Sequence, residues 1–225
     1  MTEGFRVKTN WDRVSETEVQ RAKSLPVSNI SDVMSRRFAA PASLRPMHRA
    51  GAMAGPALTV SVRPGDNLML HKALQMVRPG EVIVVDAGGA LDNAIMGELM
   101  LARGACSGVA GIVIYGAIRD VEAISQQDIP VFASGVCHRG PYKDGPGEIG
   151  LPIALGTMIV HPGDLIVGDR DGVLAVPRSS VGAVLTRAET KHASEEAQLQ
   201  DTLQGAYKGD WIDQTLHQLG CEFMD

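Results

Sequence analysis

Between residues 56 and 134 the chain alternates short apolar runs with stretches of helical periodicity. Runs rich in β-branched residues predict strands at 56–62, 82–87, 111–115 and 130–134. The stretches between them predict helices at 67–77, about 93–105 and about 119–127. Strands that alternate with helices pair in parallel, because each helix returns the chain to the same edge of the sheet. A parallel α/β layer is therefore predicted for this part of the chain.

The flanking segments predict a different organisation. The spacing of Ser15 and Glu18 is that of a capping box and predicts a helix to about Ser24, followed by a second short helix in "SNISDVMSRR". Five glycines and two prolines between residues 135 and 150 predict an irregular loop. Three strands, expected to form an antiparallel meander, are predicted at 156–160, 164–168 and 172–176. Two helices complete the chain, at about 179–203 and 210–219.

These elements predict a mixed α/β/β sandwich or a partial barrel, with helices outside. No linker divides the sequence, so we expect a single domain over residues 1–225, with an N-terminal helix within residues 1–25 and a C-terminal helical extension over 178–225. One short motif recurs, a Pro-Gly pair followed by an acid, and proline then glycine suits the centre of a type II turn. It occurs at Arg63–Asp66, Arg78–Glu81 and His161–Asp164.

Composition excludes several classes of partner. A net charge of −5 and an aromatic content of 4% disfavour a nucleic-acid partner, which usually demands a basic surface and stacking side chains. No run approaches the roughly 20 apolar residues that span a membrane, and the first residues lack the apolar core of a signal peptide. Three widely spaced cysteines predict a reducing compartment, and we expect a cytoplasmic protein.

Two strand ends carry residues suited to binding. "VVDAGGALDNAIMGELM" joins Asp86, a glycine pair and a predicted helix, whose bare amides could bind an anion. "GIVIYGAIRDVEAI" ends a strand at Gly116 and then places Arg119 beside Asp120. If the two strands are neighbours, the amides of residues 97–100 face this pair across a small cleft. Amides and an arginine suit a carboxylate, and an aspartate suits a hard divalent metal.

Plain structural interpretations remain open for these residues. Arg119 and Asp120 would also fit an exposed helix start, and Glu98 a solvated helix position. The glycines at 88 and 89 would fit a tight turn in which Asp86 accepts amide hydrogens. Among the histidines, His71 is interpreted as a core or helix-flank residue, and only His138 is a candidate for contact with a substrate. Lys143 would form a Schiff base only if desolvated, and a Gly/Pro loop beside Asp144 is a poor place for that.

Four segments together resemble one family. They are "GGALDNAIMGELM", "GIVIYGAIRDVEAI", "GPYKDGPGEIGLPIALGTMIVHPGDLIVGDRDGVLAVPR" and the helical tail. The family joins the RraA-like regulators of ribonuclease E activity with the class II 4-hydroxy-4-methyl-2-oxoglutarate / 4-carboxy-4-hydroxy-2-oxoadipate aldolases. The likeness runs from about residue 25 to the end, and its most specific signal is the glycine of "GEL" followed after 21 residues by Arg-Asp.

The resemblance implies a fold similar to the swivelling phosphohistidine domain, in trimers or hexamers with active sites at subunit interfaces. It implies that Arg119 holds a keto acid and that Asp120 anchors Mg²⁺ or Mn²⁺, partly through water. It also implies that the "GELM" amides grip the substrate carboxylate, with Glu98 beside the metal's waters and Glu195 supplied by the adjacent subunit. The residues of that segment are Gly97, Glu98, Leu99 and Met100.

The expected activity is a divalent-metal-dependent aldolase that cleaves a 4-hydroxy-2-oxo di- or tricarboxylic acid to pyruvate and also decarboxylates oxaloacetate. Many family aldolases carry an acid three positions after the aspartate, where this chain has Ala123 and places the acid at Glu122. About 48 residues follow Pro177, which favours an enzyme over a short regulator. The alternatives are a non-catalytic regulator of a ribonuclease or helicase, a lysine-dependent aldolase, and an enzyme for another 2-oxo acid. The basic loop is expected to contact the distal part of the substrate through His138, Arg139, Tyr142 and Lys143.

Overall fold

The computed structural model describes residues 3–49, 51–207 and 209–224. Contacts divide the chain into two compact units, residues 1–188 and 189–225. The strands are β1 (Phe5–Val7), β2 (Arg45–Pro46), β3 (Met53–Val62), β4 (Val82–Asp86), β5 (Ala94–Met96), β6 (Gly111–Ile118), β7 (Val131–Val136), β8 (Gly147–Ile149), β9 (Ile153–Leu155), β10 (Met158–Val160), β11 (Leu165–Gly168) and β12 (Val173–Val176). The α-helices are α1 (Glu16–Lys23), α2 (Val27–Val33), α3 (Leu68–Met76), α4 (Glu98–Cys106), α5 (Val121–Ser125), α6 (Val181–Leu203) and α7 (Asp210–Gln218).

The first unit is a mixed α/β fold built on a ten-stranded sheet. Strands β3, β4, β6 and β7 pair in parallel in that order, which confirms the predicted parallel layer. Strands β11 and β12 pair antiparallel, as the meander prediction requires, and β11 also pairs antiparallel with β3, which was not predicted. The first predicted strand of that meander, 156–160, corresponds to β10 and pairs instead with β9, in a separate two-stranded sheet.

Side chains along β4 alternate between the two faces of the sheet, and both faces are covered by other elements. Ile83 and Val85 point to one face, where they pack with Leu70 and Leu101 of helices α3 and α4. Residues 82 and 84 point to the other face, which packs against the β9–β10 and β11–β12 segments. A strand buried on both faces reads as a continuous apolar run, and such runs are typical of parallel sheets.

Two predicted boundaries next to the candidate site are wrong. The helix expected from about residue 93 begins at Glu98, because residues 94–96 form strand β5 beside β6. Gly116 does not end its strand, because β6 continues to Ile118 through a shift in register. A Cβ at Gly116 would lie only 3.0 Å from the Cβ of Ala87, so the absence of a side chain lets the strand pass. The predicted loop 135–150 contains strand β8, and the short strands β1 and β2 were not predicted.

The terminal helices follow the prediction. Ser15 and Glu18 form a reciprocal capping box at the start of α1, and α6 and α7 lie where helices were expected.

None of the helices in the described ranges combines the length and apolar character needed to cross a bilayer.

The acids of the three Pro-Gly turns are all buried. Asp66, Glu81 and Asp164 are 0%, 1% and 5% exposed, and each accepts backbone amide hydrogens. Each also binds a distant part of the chain, because Asp66 accepts the amide of Asp144, Glu81 pairs with Arg13, and Asp164 accepts the amide of Arg178. The repeated motif therefore fastens turns to remote segments.

Candidate functional site

Arg119 and Asp120 follow β6 directly and lie at the carboxyl edge of the parallel layer. Asp120 has φ 57° and ψ 37°, a left-handed conformation that is uncommon outside glycine. Its carboxylate makes no cap for its own helix, α5. Oδ2 instead accepts the amide hydrogen of Glu98, the first residue of α4, at 3.0 Å. The carboxylate therefore lies at the positive end of a neighbouring helix.

Gly97 allows this close approach. A Cβ on Gly97 would lie 2.3 Å from Oδ2 of Asp120 and 3.1 Å from Cγ of Arg119. The backbone of Gly97 is extended, so the requirement is for small size and not for an unusual dihedral angle. Nε of Arg119 lies 3.7 Å from the same carboxylate oxygen, and the two side chains stay 45% and 41% exposed. A fixed cation and a carboxylate are thus presented together and remain accessible.

A cavity of about 220 Å³ opens beside this pair. Its lining joins the end of β5, the start of α4, the start of α3 and the loop after β7. The lining residues are Asn67, His71, Ile95, Met96, Gly97, Leu99, Met100, Arg119, Asp120, Pro141 and Lys143. The amide-rich segment and the Arg-Asp pair therefore meet, as the neighbouring strands predicted.

Only some of the predicted amides are available to a ligand. The amide of Glu98 is bonded to Asp120, and that of Met100 donates to the carbonyl oxygen of Gly97 at 3.1 Å. The amide of Leu99 has no hydrogen-bond acceptor among the described residues. The first turn of α4 thus offers one amide beside the cavity, at a helix end that favours an anion.

Asp120 also borders two further recesses. One contains Glu98, Glu122 and Ala123, so the acid at position 122 shares a recess with the aspartate. The other contains Arg119 and His138 but not Lys143. The predicted substrate contact His138 therefore lies beside the Arg-Asp pair and does not line the 220 Å³ cavity.

The cavity is also lined by Asn67 and His71, which the sequence analysis did not assign to the site, and by Lys143, which it expected to contact the distal part of the substrate. Asn67 is 2% exposed; its Nδ2 donates to the Ile95 carbonyl at 3.0 Å, while Oδ1 lacks a hydrogen-bond partner among the described residues. Burial lowers the pKa of His71, and the positive charges of Lys143 and Arg103 lower it further. The one sequence signal for Asn67 and His71 was the Pro-Gly-Asp turn before α3, which brings the start of this helix to the strand ends.

The glycine pair at 88 and 89 does not form an anion site. Both residues are left-handed, with φ of 68° and 69°, and the Gly88 amide donates to Oδ1 of Asp86 at 2.9 Å. A strand rather than a helix follows, so the turn interpretation is correct. Burial raises the pKa of Asp86, and the bond from Gly88 opposes that shift.

Glu195 belongs to the second compact unit, residues 189–225. It pairs with Lys191 one turn earlier in α6 at 2.5 Å, and Glu196 lies 3.5 Å from Nε2 of His192. The site assignment of Glu195 therefore remains a prediction.

The donor atoms of the cavity suit one kind of metal. Within residues 3–49, 51–207 and 209–224, no group of three or more His, Cys, Asp or Glu side chains could enclose an ion. Zinc in a closed four-ligand site does not match this set. Magnesium commonly binds one or two carboxylates and keeps water or substrate oxygens as its other ligands, which fits Asp120 in an open cavity.

Comparison with known proteins gives a matching family model and named relatives. The model of the RraA-like family (Aldolase/RraA) matches residues 27–175. A protein of Halalkalibacterium halodurans, named "Putative 4-hydroxy-4-methyl-2-oxoglutarate aldolase", is 38% identical over 179 residues, which cover 80% of this chain and 85% of the relative.

Two solved structures illustrate the similarity of fold. Streptomyces coelicolor RraAS2, described as an unusual member of the RNase ES inhibitor RraA family, is 26% identical with a TM-score of 0.73, covering 83% of this chain and 98% of that one. An uncharacterised protein of Pseudomonas syringae has a TM-score of 0.77 at 21% identity, covering 87% of this chain and 96% of that one, and shares the fold.

Proposed function

This chain belongs to the RraA-like family, and from that premise we propose that it is a divalent-metal-dependent aldolase. Its substrate would be a 4-hydroxy-2-oxo di- or tricarboxylic acid, cleaved to pyruvate, with decarboxylation of oxaloacetate as a second activity. The observation that carries the proposal is the Asp120 carboxylate held by the Glu98 amide at 3.0 Å, with the Arg119 guanidinium 3.7 Å away, at the edge of a cavity. The Arg-Asp pair is suited to a 2-oxo acid, because such an acid has a negatively charged C1 carboxylate beside the C2 oxygen on which negative charge develops during cleavage.

The reaction breaks the bond between C3 and C4. The C4 hydroxyl loses its proton and becomes a carbonyl, while the electron pair of the broken bond forms an enolate with its charge on the C2 oxygen. Protonation of that enolate at C3 gives pyruvate. Loss of CO₂ from oxaloacetate leaves the same enolate but requires no removal of a hydroxyl proton. Both reactions therefore need charge stabilisation at one oxygen.

Different residues are assigned different parts of this charge stabilisation. A Mg²⁺ or Mn²⁺ ion held by Asp120 would act as a Lewis acid toward the C1 carboxylate and C2 oxygen. Arg119 donates hydrogen bonds to the C2 oxygen, a contribution of roughly 3 kcal/mol for a well-placed donor. The Leu99 amide donates to the C1 carboxylate, helped by the dipole of α4. The side chain of Arg119 lines the cavity and is 45% exposed, so a ligand there can reach it.

Proton removal from the C4 hydroxyl is assigned to the acids. We place a water between Glu98 and Glu195 of a neighbouring subunit as the acceptor, in a trimer or hexamer whose sites lie at subunit interfaces. The exposed position of Glu98 and its place beside Asp120 in a shared recess support this role. Glu122 lies in the same recess and is the second acid available there.

Asp120→Asn tests the proposal most directly. Asparagine tolerates the left-handed backbone, so the substitution removes charge with little change in conformation. We expect wild type to release pyruvate from oxaloacetate and from 4-hydroxy-4-methyl-2-oxoglutarate only with Mg²⁺ or Mn²⁺, and the variant to lose both activities and Mn²⁺ binding measured by electron paramagnetic resonance. Asp128→Asn, at an exposed acid eight residues further on, should match wild type.

A non-catalytic regulator is the second candidate, favoured by the similarity to RraAS2. It predicts no turnover of either acid with any divalent cation and no effect of Asp120→Asn on partner binding. Turnover that persists in EDTA and is trapped by borohydride with pyruvate would instead indicate a Schiff base on Lys143. Either result would contradict the metal-dependent proposal.

A further inference from the structure

A second cavity, of about 450 Å³, lies between the N-terminal segment and the third Pro-Gly turn. Its walls come from the arm between β1 and α1, the turn between β8 and β9, the turn between β10 and β11, and the residues after β12. We call it the arm cavity; the residues that matter for a ligand are Lys8, Trp11, Asp12, Leu151, His161 and Arg178. None of the residues that line the arm cavity lines the cavity beside the Arg-Asp pair, so the two sites are separate.

Backbone contacts hold the arm in place near each of its ends. The amide of Lys8 donates to the carbonyl oxygen of Ile149 at 2.9 Å, and the amide of Val14 donates to that of Gly163 at 3.1 Å. A Cβ on Gly163 would overlap the carbonyl oxygen of Asp12, so the glycine lets the arm approach this turn closely. The arm residues that line the cavity therefore belong to a fixed wall.

A buried carboxylate places two of the basic residues side by side. Asp164 is 5% exposed; its Oδ2 accepts the amide hydrogen of His161 at 2.9 Å, and its Oδ1 accepts that of Arg178 at 2.8 Å. Because one side chain binds both amides, the main chain at position 161 stays close to the main chain at position 178. Both residues line the arm cavity.

The charges around the arm cavity are unequal. The side chains of Lys8 and His161 have no ion-pair or hydrogen-bond partner within the described part of the chain. Asp12 is the one carboxylate among the described residues that line the cavity, and its Oδ2 lies 3.2 Å from Nη2 of Arg178. The Asp12 side chain is 82% exposed, and an exposed ion pair contributes little stability. An anion can therefore bind at Lys8 and His161 and share Arg178 with Asp12.

The donors suit a phosphate group better than a carboxylate. A phosphate monoester has a charge of about −1.5 to −2 at pH 7 and three acceptor oxygens, whereas a carboxylate has a single charge and two oxygens. Lys8 supplies an ammonium, Arg178 a guanidinium fork and His161 at least one ring N–H. Leu151 also lines the cavity, and its amide has no acceptor among the described residues. These groups are enough to donate to all three phosphate oxygens.

The rest of the lining is largely apolar. It includes the Trp11 ring and the side chains of Leu151, Pro152 and Pro162. A Cβ on Gly150 would lie 2.8 Å from Cζ3 of Trp11, so the glycine lets the ring pack against the turn after β8. Inorganic phosphate would leave this apolar surface uncovered, whereas the carbon skeleton of an ester can cover it. A volume of about 450 Å³ lies within the range of small-molecule sites, roughly 300–1,000 Å³.

We propose that the arm cavity is a second small-molecule site, which binds the phosphate group of a phosphate monoester through Lys8, Arg178 and His161 and the carbon skeleton beside Trp11. The site does not depend on the aldolase reaction, because none of its residues lines the cavity at Asp120. It gives a ligand-binding role to the N-terminal arm and to the third Pro-Gly turn, which the proposed function does not use.

Tryptophan fluorescence reports binding at this cavity. The chain has two tryptophans, Trp11 and Trp211, and Trp211→Phe in the second unit leaves Trp11 as the sole reporter. In this variant, without divalent cations and at constant ionic strength, glycerol 3-phosphate should change the fluorescence saturably. It should bind about tenfold more tightly than glycerate, and more tightly than inorganic phosphate. Absence of a saturable change, or equal affinity for glycerate, would overturn the proposal, and equal affinity for inorganic phosphate would overturn the assignment to an ester.

Two substitutions should shift the affinity in opposite directions. Lys8→Met removes a cation and should weaken binding of glycerol 3-phosphate about tenfold, while Lys8→Arg should keep most of the affinity. Asp12→Asn keeps the shape of the side chain but removes the carboxylate that competes for Arg178, so it should tighten binding. Unchanged binding in Lys8→Met, or weaker binding in Asp12→Asn, would contradict the assigned contacts.

Lys23→Met is the matched control, because Lys23 is an exposed lysine of α1 that does not line the arm cavity. It should bind the ester as the parent does, and a loss equal to that in Lys8→Met would mean that general surface charge binds the ester. Arg119→Ala should also bind normally, since loss of binding there would place the ester beside Asp120 instead. Normal binding reported by Trp11 without any pyruvate release would refute the aldolase and leave this site standing.

Discussion

Adding a single methyl group at Gly97 should impair the candidate site while leaving the fold intact. The Cβ of Gly97→Ala would begin 2.3 Å from Oδ2 of Asp120. Carbon and oxygen atoms in favourable contact lie about 3.3 Å apart, so the carboxylate must retreat by roughly 1 Å. The backbone at Gly97 is extended and accepts alanine without strain, and the Asp120 side chain is 41% exposed and can move into solvent. The displacement should therefore fall on Asp120 and spare the core.

The magnitude follows from what Asp120 loses. Breaking its bond from the Glu98 amide forfeits a hydrogen bond to a charged group, worth about 1.5–3 kcal/mol. A displacement of about 1 Å at a reacting centre costs on the order of 10²-fold in rate. We expect kcat/KM for pyruvate release to fall about 100-fold, with weaker Mn²⁺ binding. The free energy of unfolding should fall by no more than that hydrogen bond contributes, about 1.5–3 kcal/mol, because the displaced carboxylate can move into solvent and the core is not disturbed.

The assay is pyruvate release from oxaloacetate coupled to lactate dehydrogenase, run beside thermal unfolding. Gly182→Ala is the control, because a Cβ there would meet no atom nearer than Oε1 of Glu18 at 4.0 Å. Gly182 lies in α6, where alanine is the better helix former, so this variant should keep full activity and unfold at the same or a higher temperature. A Gly97→Ala enzyme within threefold of wild type, at unchanged Tm, would refute the close-approach reasoning.

Three further predictions test separate parts of the site. Arg119→Lys should lower kcat about as far as Arg119→Ala, since an ammonium cannot reproduce the guanidinium fork; recovery by lysine in steady-state assays would contradict this. Glu195→Gln should lower aldol cleavage at least tenfold more than oxaloacetate decarboxylation, which needs no hydroxyl proton removed, and equal losses would exclude Glu195 as a proton acceptor. Asp86→Asn should raise Tm at pH 7: because the folded-state pKa of Asp86 is raised, ionisation costs stability as pH rises from the ordinary carboxyl pKa through the folded value. The gain should vanish below that window, and a gain independent of pH would indicate a packing effect.

Sequence was sufficient for the parallel layer because burial on both faces leaves a direct trace. Each residue of "VIVV" must be apolar when helices cover one face and strands the other, so a continuous apolar run in the sequence predicts a strand of this kind. Strand β5 leaves no such trace. Its three residues lie in a segment with helical periodicity, and they become a strand only because β6 extends beyond Gly116 and offers a free edge. Pairing between distant segments overrides local propensity there.

The residues of the candidate site also divide into those that the sequence predicts and those that it does not. Arg119 and Asp120 could be predicted because their position after an apolar strand puts them at the edge where ligands collect. Asn67 and His71 could not, because their place in the cavity depends on contacts with residues 95–100, about 28 positions away for the bond from Asn67 to Ile95. Lys143 was predicted as part of the basic loop that contacts the substrate, but its place in the cavity depends on backbone amides bonded to Asp66, and backbone amides are the same in every residue. Side-chain identity at 143 therefore contains no sign of where its loop is fastened.

The backbone at Asp120 indicates why the residue there is an aspartate. A left-handed position would be satisfied by glycine or asparagine, with less conformational cost than for most residues. Aspartate adds only charge to what asparagine offers, and it places that charge 3.7 Å from Arg119 and at the N-terminus of α4. The protein engages Oδ2 but provides no hydrogen-bond donor for Oδ1 among the described residues. A carboxylate with one oxygen fixed and one oxygen open can coordinate a hard cation without losing its orientation. This arrangement accounts for the negative charge, the left-handed backbone and the neighbouring glycine together, whereas a simple helix start accounts for the negative charge alone.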